Sequence, residues 1–507
     1  MLKYLSQYNN KWIFLVILLH ISVAIPLGLY VDIWVDEAFT LNTTSKNLSY
    51  AVNQAINFEE QPPFYFIVIH FWRNINGSLF FGRLFSTLCI VATIVILSIF
   101  CCKIFDGKNI LWFISLFALN PYTIYYSIEL RCYALVILIS SALILLFYNG
   151  YLSEHNSYKS RIFYVILAII GLYTQYYIGY LLLAHAILLL VRKDWTGFKI
   201  YLISMVLVAI AFLPAIGFIR SQLSTNVSPS PPYNIFESIE RFLSLLVDDM
   251  LIAFRYFPPS WLYPLLFRWV VRLTVLSAVL LYLFYNIKFF KNWQYAKGAQ
   301  INYINILIMS VLFILTIKIL APDSVQNRHL AVLMVPAIIA FTSIFNLKLG
   351  TKLQLFIFFV LFFNYSLALM SQYRGFYKNQ DWSEVAGYIE DREEAQQPIL
   401  VFTNLTAIPF TYHYSGINQI IPIPAPFKYE KDWLNNIVLR NEDDIYNNTN
   451  KLPEKVKSYW LLMDSWEEYQ GVKFNHHILL NYVEKNFRIE QKETLSHGLD
   501  VYLLKAK

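Results

Sequence analysis

The sequence predicts a polytopic α-helical membrane protein with a small extracytoplasmic α/β domain at its C-terminus. Three observations predict it. Of 507 residues, 57% are hydrophobic and only 14% charged, where soluble domains carry about 25% charged residues. Apolar runs of about 20 residues recur up to Tyr373, each long enough for a hydrocarbon core of roughly 30 Å. After Arg374 the chain turns polar, and its apolar residues fall into short strand-like or helical patterns.

A short basic start, ending at Lys11, leads into a first span at residues 12–31. That run is too long for a usual signal-peptide core and has no small-residue cleavage site, so it is expected to stay in place. Further spans are read near 80–102, 110–127, 132–150, 162–174, 177–191, 200–219, 262–287, 303–320, 330–346 and 353–373, about eleven in all. With the N-terminus cytoplasmic, the inner loops hold Lys103 and Lys108, then Lys159 and Arg161, then Arg192, Lys193 and Lys199. Lys288, Lys291 and Lys297 follow, and then Lys348 and Lys352. The first outer loop instead carries Asp32, Asp36, Glu37, Glu59 and Glu60 against Lys46 and Arg73. Every step obeys the positive-inside rule. Location in a bacterial plasma membrane is the expectation.

The outer loop at 32–78 is more than a connector. Gln61-Pro62-Pro63 opens an apolar-aromatic run at 64–72, too short to span and read as an amphipathic helix along the surface with prolines in its first turn. A second outer segment, about 221–261, has a proline-marked loop and then an expected interfacial helix at 236–257. The membrane module therefore takes residues 1–373 and the tail 374–507, about 130 residues, a normal domain size. In the tail, 382–389 and 406–414 read as helices, and 398–402, 417–423, 458–463 and 499–504 as strands. Pro422 moves the second of those strands to a sheet edge. An odd number of spans places the tail outside.

The net charge of +7 does not indicate nucleic acid, because the basic residues lie in short loops and form no stripe. Cys89, Cys101, Cys102 and Cys132 match no zinc spacing and read as small buried hydrophobes. There is no Walker loop, GxGxxG turn, HExxH or nucleophile elbow.

The residues that carry chemistry cluster at the outer boundary. Asp36 and Glu37 lie in Trp34-Val35-Asp36-Glu37-Ala38-Phe39-Thr40, directly after the first span. Ionised groups at a membrane surface are costly to desolvate and mark functional sites. Adjacent side chains diverge, so the readings are one base with one brace, or two solvated carboxylates. Arg83, Arg131 and Arg328 sit at outer span ends, where the charge rule does not ask for cations. They either snorkel to headgroups or hold an anion, and a guanidinium fork suits phosphate. Glu129, two residues before Arg131, either orients that arginine or acts as a second acid–base group. The run Tyr173-Thr174-Gln175-Tyr176-Tyr177, with Tyr122, Tyr125 and Tyr126, reads as an interfacial belt, or as part of a groove for sugar or isoprenoid. His70 and His185, isolated on apolar stretches, read as structural.

In this order the segments resemble the membrane-embedded glycosyltransferases of the C superfamily, fold GT-C, and within it the family 39-like protein O-mannosyltransferase and aminoarabinose transferase group. The resemblance rests on Asp36-Glu37, on Gln61-Pro62-Pro63-Phe64-Tyr65, on Arg83-Leu84-Phe85-Ser86 and on residues 121–135. It continues through Tyr173-Thr174-Gln175-Tyr176 and Arg328-His329-Leu330, covering about residues 12–345. Gln61 stands where the family has His, Ile128 for Gln, Leu130 for Ala, and Gln175 for a second His. The resemblance implies an inverting transfer of a sugar from a polyprenyl-phosphate donor to an extracytoplasmic hydroxyl or amine on a lipid, glycan or protein. It implies catalysis by Asp36 and Glu37, and phosphate binding by Arg83, Arg131 and Arg328. Support would come from Gln61, Glu129, Tyr133, Gln175, Tyr176 and His329. A monophosphate donor requires no divalent ion, so no cofactor is expected; the identity of any metal stays open. Two other classes fit part of the profile. A lipid-linked saccharide polymerase or ligase shares the outward site, and a transporter or flippase shares the polytopic build, although no inverted repeat is visible.

Overall fold

The computed structural model describes residues 10–104, 110–153, 157–223, 233–253, 300–320, 325–342, 351–372, 381–431, 433–449, 456–469, 472–495 and 498–507, with positions 273 and 277. The chain is an integral membrane protein. By length and composition, six of the described helices suffice to cross a membrane: Lys11–Tyr30, Leu79–Ile104, Tyr133–Leu152, Trp195–Arg220, Ile301–Leu320 and Gln354–Ser371. Ile178–Val191 and Asn327–Thr342 are shorter apolar helices. The span expected at 262–287 lies outside the described residues.

One expected span is corrected. Residues 110–127 do not form a continuous helix but split into Ile110–Ala118 and Pro121–Ser127. Proline has no N–H to donate and pushes the preceding residue out of the helical region. Asn120 accordingly is extended, and its side chain accepts from Tyr122 N at 2.8 Å, capping the new helix. The helix expected at 236–257 is shorter too. It runs Ile235–Leu243, capped by Asn234 and Glu237, and then widens into a π-helical turn, Ser244–Leu251.

The chain divides into two compact units, each described by itself. The membrane unit takes the described parts of 10–29, 61–223 and 231–373. Small residues let its helices approach closely, as membrane packing favours. A Cβ on Gly82 would lie 3.0 Å from both Leu130 methyls, and one on Gly171 would lie 3.0 Å from Ile178. Polar groups inside it bond to one another. Tyr164 joins His185 Nδ1 at 2.8 Å and Tyr201 at 2.9 Å, and Tyr151 joins Ser204 at 2.7 Å. The π turn is clasped in the same way. Asn120 donates to Met250 O at 3.0 Å, Tyr365 to Leu251 O at 2.7 Å, and Asn364 to Ile252 O.

The second unit combines residues 30–60 with the tail. Its sheet has five strands, in the spatial order 420–423, 399–402, 458–464, 499–506 and 487–495. β1 (Ile399–Phe402) runs parallel to β2 (Ile420–Ile423) and to β3 (Ser458–Asp464). Past a short hairpin of β4 (Glu468–Tyr469) and β5 (Val472–Lys473), β6 (Phe487–Leu495) and β7 (Leu499–Ala506) add antiparallel. β2, with its Pro422, is an edge strand. Strand alternation supplies a core on each face. Leu400, Phe402, Leu461 and Met463 pack with helix His476–Asn486, while Ile399, Val401, Trp460 and Leu462 pack with helix Trp382–Glu390. β6 has no sequence signature of a half-buried strand, because it is the charged, exposed outer edge of the sheet.

Candidate active site

In the second unit, Asp36 sits in the first turn of helix Val35–Thr43, which the sequence pattern did not reveal. Carboxylates are favoured there by the helix dipole. Glu37 is fully buried, and its Oε2 accepts from Trp34 N at 3.1 Å, closing the helix start; Asp36 is half-buried. The visible signal was the Asp-Glu pair itself, read as loop carboxylates because nine residues are too few for a clear helical period. Asp32, just ahead of the helix, accepts from Ser383 N at 2.8 Å and lies 3.7 Å from His413 Nε2. Thr43 donates to Glu59 at 3.1 Å near the other end. One turn after Asp36, Phe39 stacks on Phe427 with centroids 5.5 Å apart, and meets Trp433 edge-on at 5.8 Å.

In the membrane unit, Arg83 is only 2% exposed, and its Nη1 donates to Gly28 O at 2.9 Å. Gly28 is in the last turn of helix Asn10–Tyr30, where carbonyls lack helical partners and a cation is favoured. Arg83 therefore caps the first span. The next turn of its helix grips the segment that carries Glu129 and Arg131. Ser86 donates to Glu129 O at 2.6 Å, and Thr87 to Ser127 O at 2.7 Å. Glu129 and Arg131 are both 3% exposed.

Cys132 marks where several of these charges meet. It is buried, and the fields of Arg131, Glu129 and Arg328 all reach its thiol. Its Sγ lies 4.0 Å from Gln61 Oε1. Tyr65, on helix Phe64–Arg73, is buried beside the same group; desolvation holds its phenol well above the ordinary value, and Arg131 partly opposes that shift. Phe64 N donates to Tyr173 O at 3.0 Å, tying this helix to the tyrosine-rich run. Gln175 is buried, Tyr176 donates to Gln222 at 2.8 Å, and Tyr177 stacks on His329 at 5.0 Å. Arg328 and His329 occupy a short 3₁₀ turn, Asn327–Leu330, anchored where Tyr122 donates to Asn327 O at 3.0 Å. Tyr133 packs edge-on against Tyr126 at 5.1 Å.

In the membrane unit Gln61 thus meets Cys132, the charges of Glu129, Arg131 and Arg328 act on its thiol, and Tyr65 feels those of Arg131 and Glu129. Arg83 is linked through the backbone segment that its helix grips. Sequence reasoning missed Tyr65 and Asn120 as organisers, although Pro-Phe-Tyr and Asn-Pro were legible cues. It also missed Asp248 and Asp249, which ride on the π turn packed against the Arg328 turn. Two adjacent acids in an apolar run were their signal.

The sequence matches no family model and no curated protein. Among solved structures, the chain is similar to ArnT from Cupriavidus metallidurans in its apo state. The TM-score is 0.58 at 11% identity, covering 97% of this chain and 98% of that one. The same protein bound to undecaprenyl phosphate gives a TM-score of 0.57 at 11% identity, over 98% of each chain. The likeness establishes the fold: the chain has the GT-C architecture with a C-terminal domain that its sequence led us to expect.

Proposed function

We propose that this protein is a glycosyltransferase that moves a sugar from a polyprenyl-phosphate donor to an extracytoplasmic hydroxyl or amine. The observation that supports it best is that the charges of Arg131, Arg328 and Glu129 all act on the buried Cys132 thiol, in a chain whose fold is similar to that of ArnT bound to undecaprenyl phosphate. Asp36 takes the proton of the acceptor O–H or N–H. The acceptor's lone pair forms the new bond at the anomeric carbon from the face opposite the phosphate. The old carbon–oxygen bond breaks, and its electron pair leaves with the lipid phosphate, so the anomeric configuration inverts.

Arg131 and Arg328, with Arg83, stabilise the charge that grows on the departing phosphate; donors fixed before the reaction are often the largest catalytic term. Glu37 braces the Asp36 helix, and Glu129 orients Arg131. Gln61, Tyr133, Gln175, Tyr176 and His329 line or support the donor groove. A monophosphate leaving group carries too little charge to demand a divalent ion, so the reaction as written needs no cofactor.

Deleting the gene should remove one sugar from a lipid, glycan or protein of the cell envelope, with the glycosylated polyprenyl phosphate accumulating. Mass spectrometry of all three fractions and of the carrier lipids checks this. An unchanged glycan profile with donor lipid displaced between leaflets would support a flippase instead. An outward-facing site also requires the tail outside: protease added to right-side-out vesicles should digest the chain after Arg374, and protection of the tail would reverse the orientation.

A further inference from the structure

The tail holds the Asp36 helix by a short chain of contacts that no step of the reaction uses. Asn404 follows β1 and is fully buried. Its single amide nitrogen donates to Ala425 O at 2.8 Å and to Asn436 O at 3.0 Å, so one side chain ties the loop segments at 425–431 and 433–436 to the sheet. That loop presents Phe427 and Trp433, which enclose Phe39 from a stacked and an edge-on direction at 5.5 and 5.8 Å. Tyr429 of the same loop packs on Phe58 at 5.4 Å, engaging the segment after helix Leu48–Asn57. Phe39 lies three residues after Asp36, hence on a neighbouring part of the same helix surface. The start of the helix is fixed separately, by Ser383 N and His413 on Asp32.

A helix of nine residues is too short to hold its own structure in water. Its order must come from packing, and within this unit Phe39 supplies an apolar anchor to the tail. Fixing a base to within a fraction of an ångström requires such support from behind. We propose that the tail is a built-in positioning element of the active site: Asn404 fixes the loop, and Phe427 and Trp433 of that loop set the position of Asp36. The structural coupling stands on the contacts above; its catalytic consequence rests on the assignment of Asp36 as base.

The test uses the full chain in lipid nanodiscs, read by hydrogen–deuterium exchange. Phe427→Ala and Asn404→Asp, the latter nearly isosteric but without the amide donor, should each speed exchange in residues 35–43 roughly tenfold. Amides of β1 and β3 should keep their protection, and Phe427→Tyr should leave the helix as protected as in the parent chain. Unchanged exchange at 35–43, or equal loosening of helix and sheet, would overturn the proposal.

A second arm scores the missing glycan in the deletion strain, corrected for the amount of protein in the membrane. Phe427→Ala should lower transfer about tenfold and Phe427→Tyr should restore it. If Asp36→Asn transfers normally while the exchange result holds, the base assignment fails and the coupling stands. If Asp36→Asn is inactive while Phe427→Ala leaves both readouts unchanged, the positioning role alone is overturned.

Discussion

Asp36→Asn is expected to abolish transfer, by about 10²–10⁴-fold if the side chain acts as general base. The substitution removes proton affinity and almost no volume. Its helix has holds that do not involve that carboxylate: Glu37 closes the helix start on Trp34 N, Thr40 donates to the backbone carbonyl of Asp36, and Phe39 is held by Phe427. A lost rate with unchanged membrane abundance and unchanged thermal unfolding is therefore the expected pair of results. Glu37→Gln separates the two carboxylates. It keeps an oxygen for Trp34 N and should retain most of the activity, as the bracing role proposed for the buried Glu37 requires. Near-normal turnover by Asp36→Asn would remove the base from the mechanism.

Arg131→Lys should cost about 10²–10³-fold in transfer although it keeps the positive charge, comparable to losing one preorganised donor at a developing oxyanion. Lysine offers a point charge in place of a planar fork and cannot reproduce bidentate contact with a phosphate. The surroundings leave the shorter chain little help, since Ser86 fixes the Glu129 backbone two residues away and Leu130 is packed on Gly82. Transfer measured at saturating acceptor over a series of donor concentrations checks this. Equal rates for the parent and the substituted protein would reduce this residue to an anchor at the membrane surface. Arg83 is a less clean position for the same experiment, because it also caps the first span through Gly28 O, and its loss lowers stability together with rate.

The membrane helices were legible because the hydrocarbon core imposes length and apolarity on any spanning segment, and the starts and ends of most helices follow from it. The break at Asn120-Pro121 was written in the sequence, yet a length criterion counts apolar residues and passes over a capped turn between them. The arginines were legible as cations where the inner-loop bias does not call for them. The Arg83 cap was not, since it joins residues from separate helices. The helix around Asp36 and its association with the tail depend on Phe39 meeting Phe427 and Trp433, a pairing between distant segments that leaves no periodic trace in either. The charged strand β6 failed for a related reason: an outer edge that resists further pairing looks like a loop.

The clasp on the π turn bears on the order in which the protein is assembled. Asn120 satisfies the carbonyl of Met250, whereas Tyr365 and Asn364 satisfy those of Leu251 and Ile252, so part of a segment made midway through translation waits for partners on helix Thr351–Gln372. Until that helix arrives, the Leu251 and Ile252 oxygens lack these partners, while the Asn120 amide can already donate to Met250 O. The 3₁₀ turn bearing Arg328 packs on the same clasp. A ribosome-bound chain truncated before Thr351 would therefore hold the Asn120 contact to Met250 O and still lack the other two, so helix Thr351–Gln372 is the piece whose arrival completes the support beneath the turn that carries Arg328.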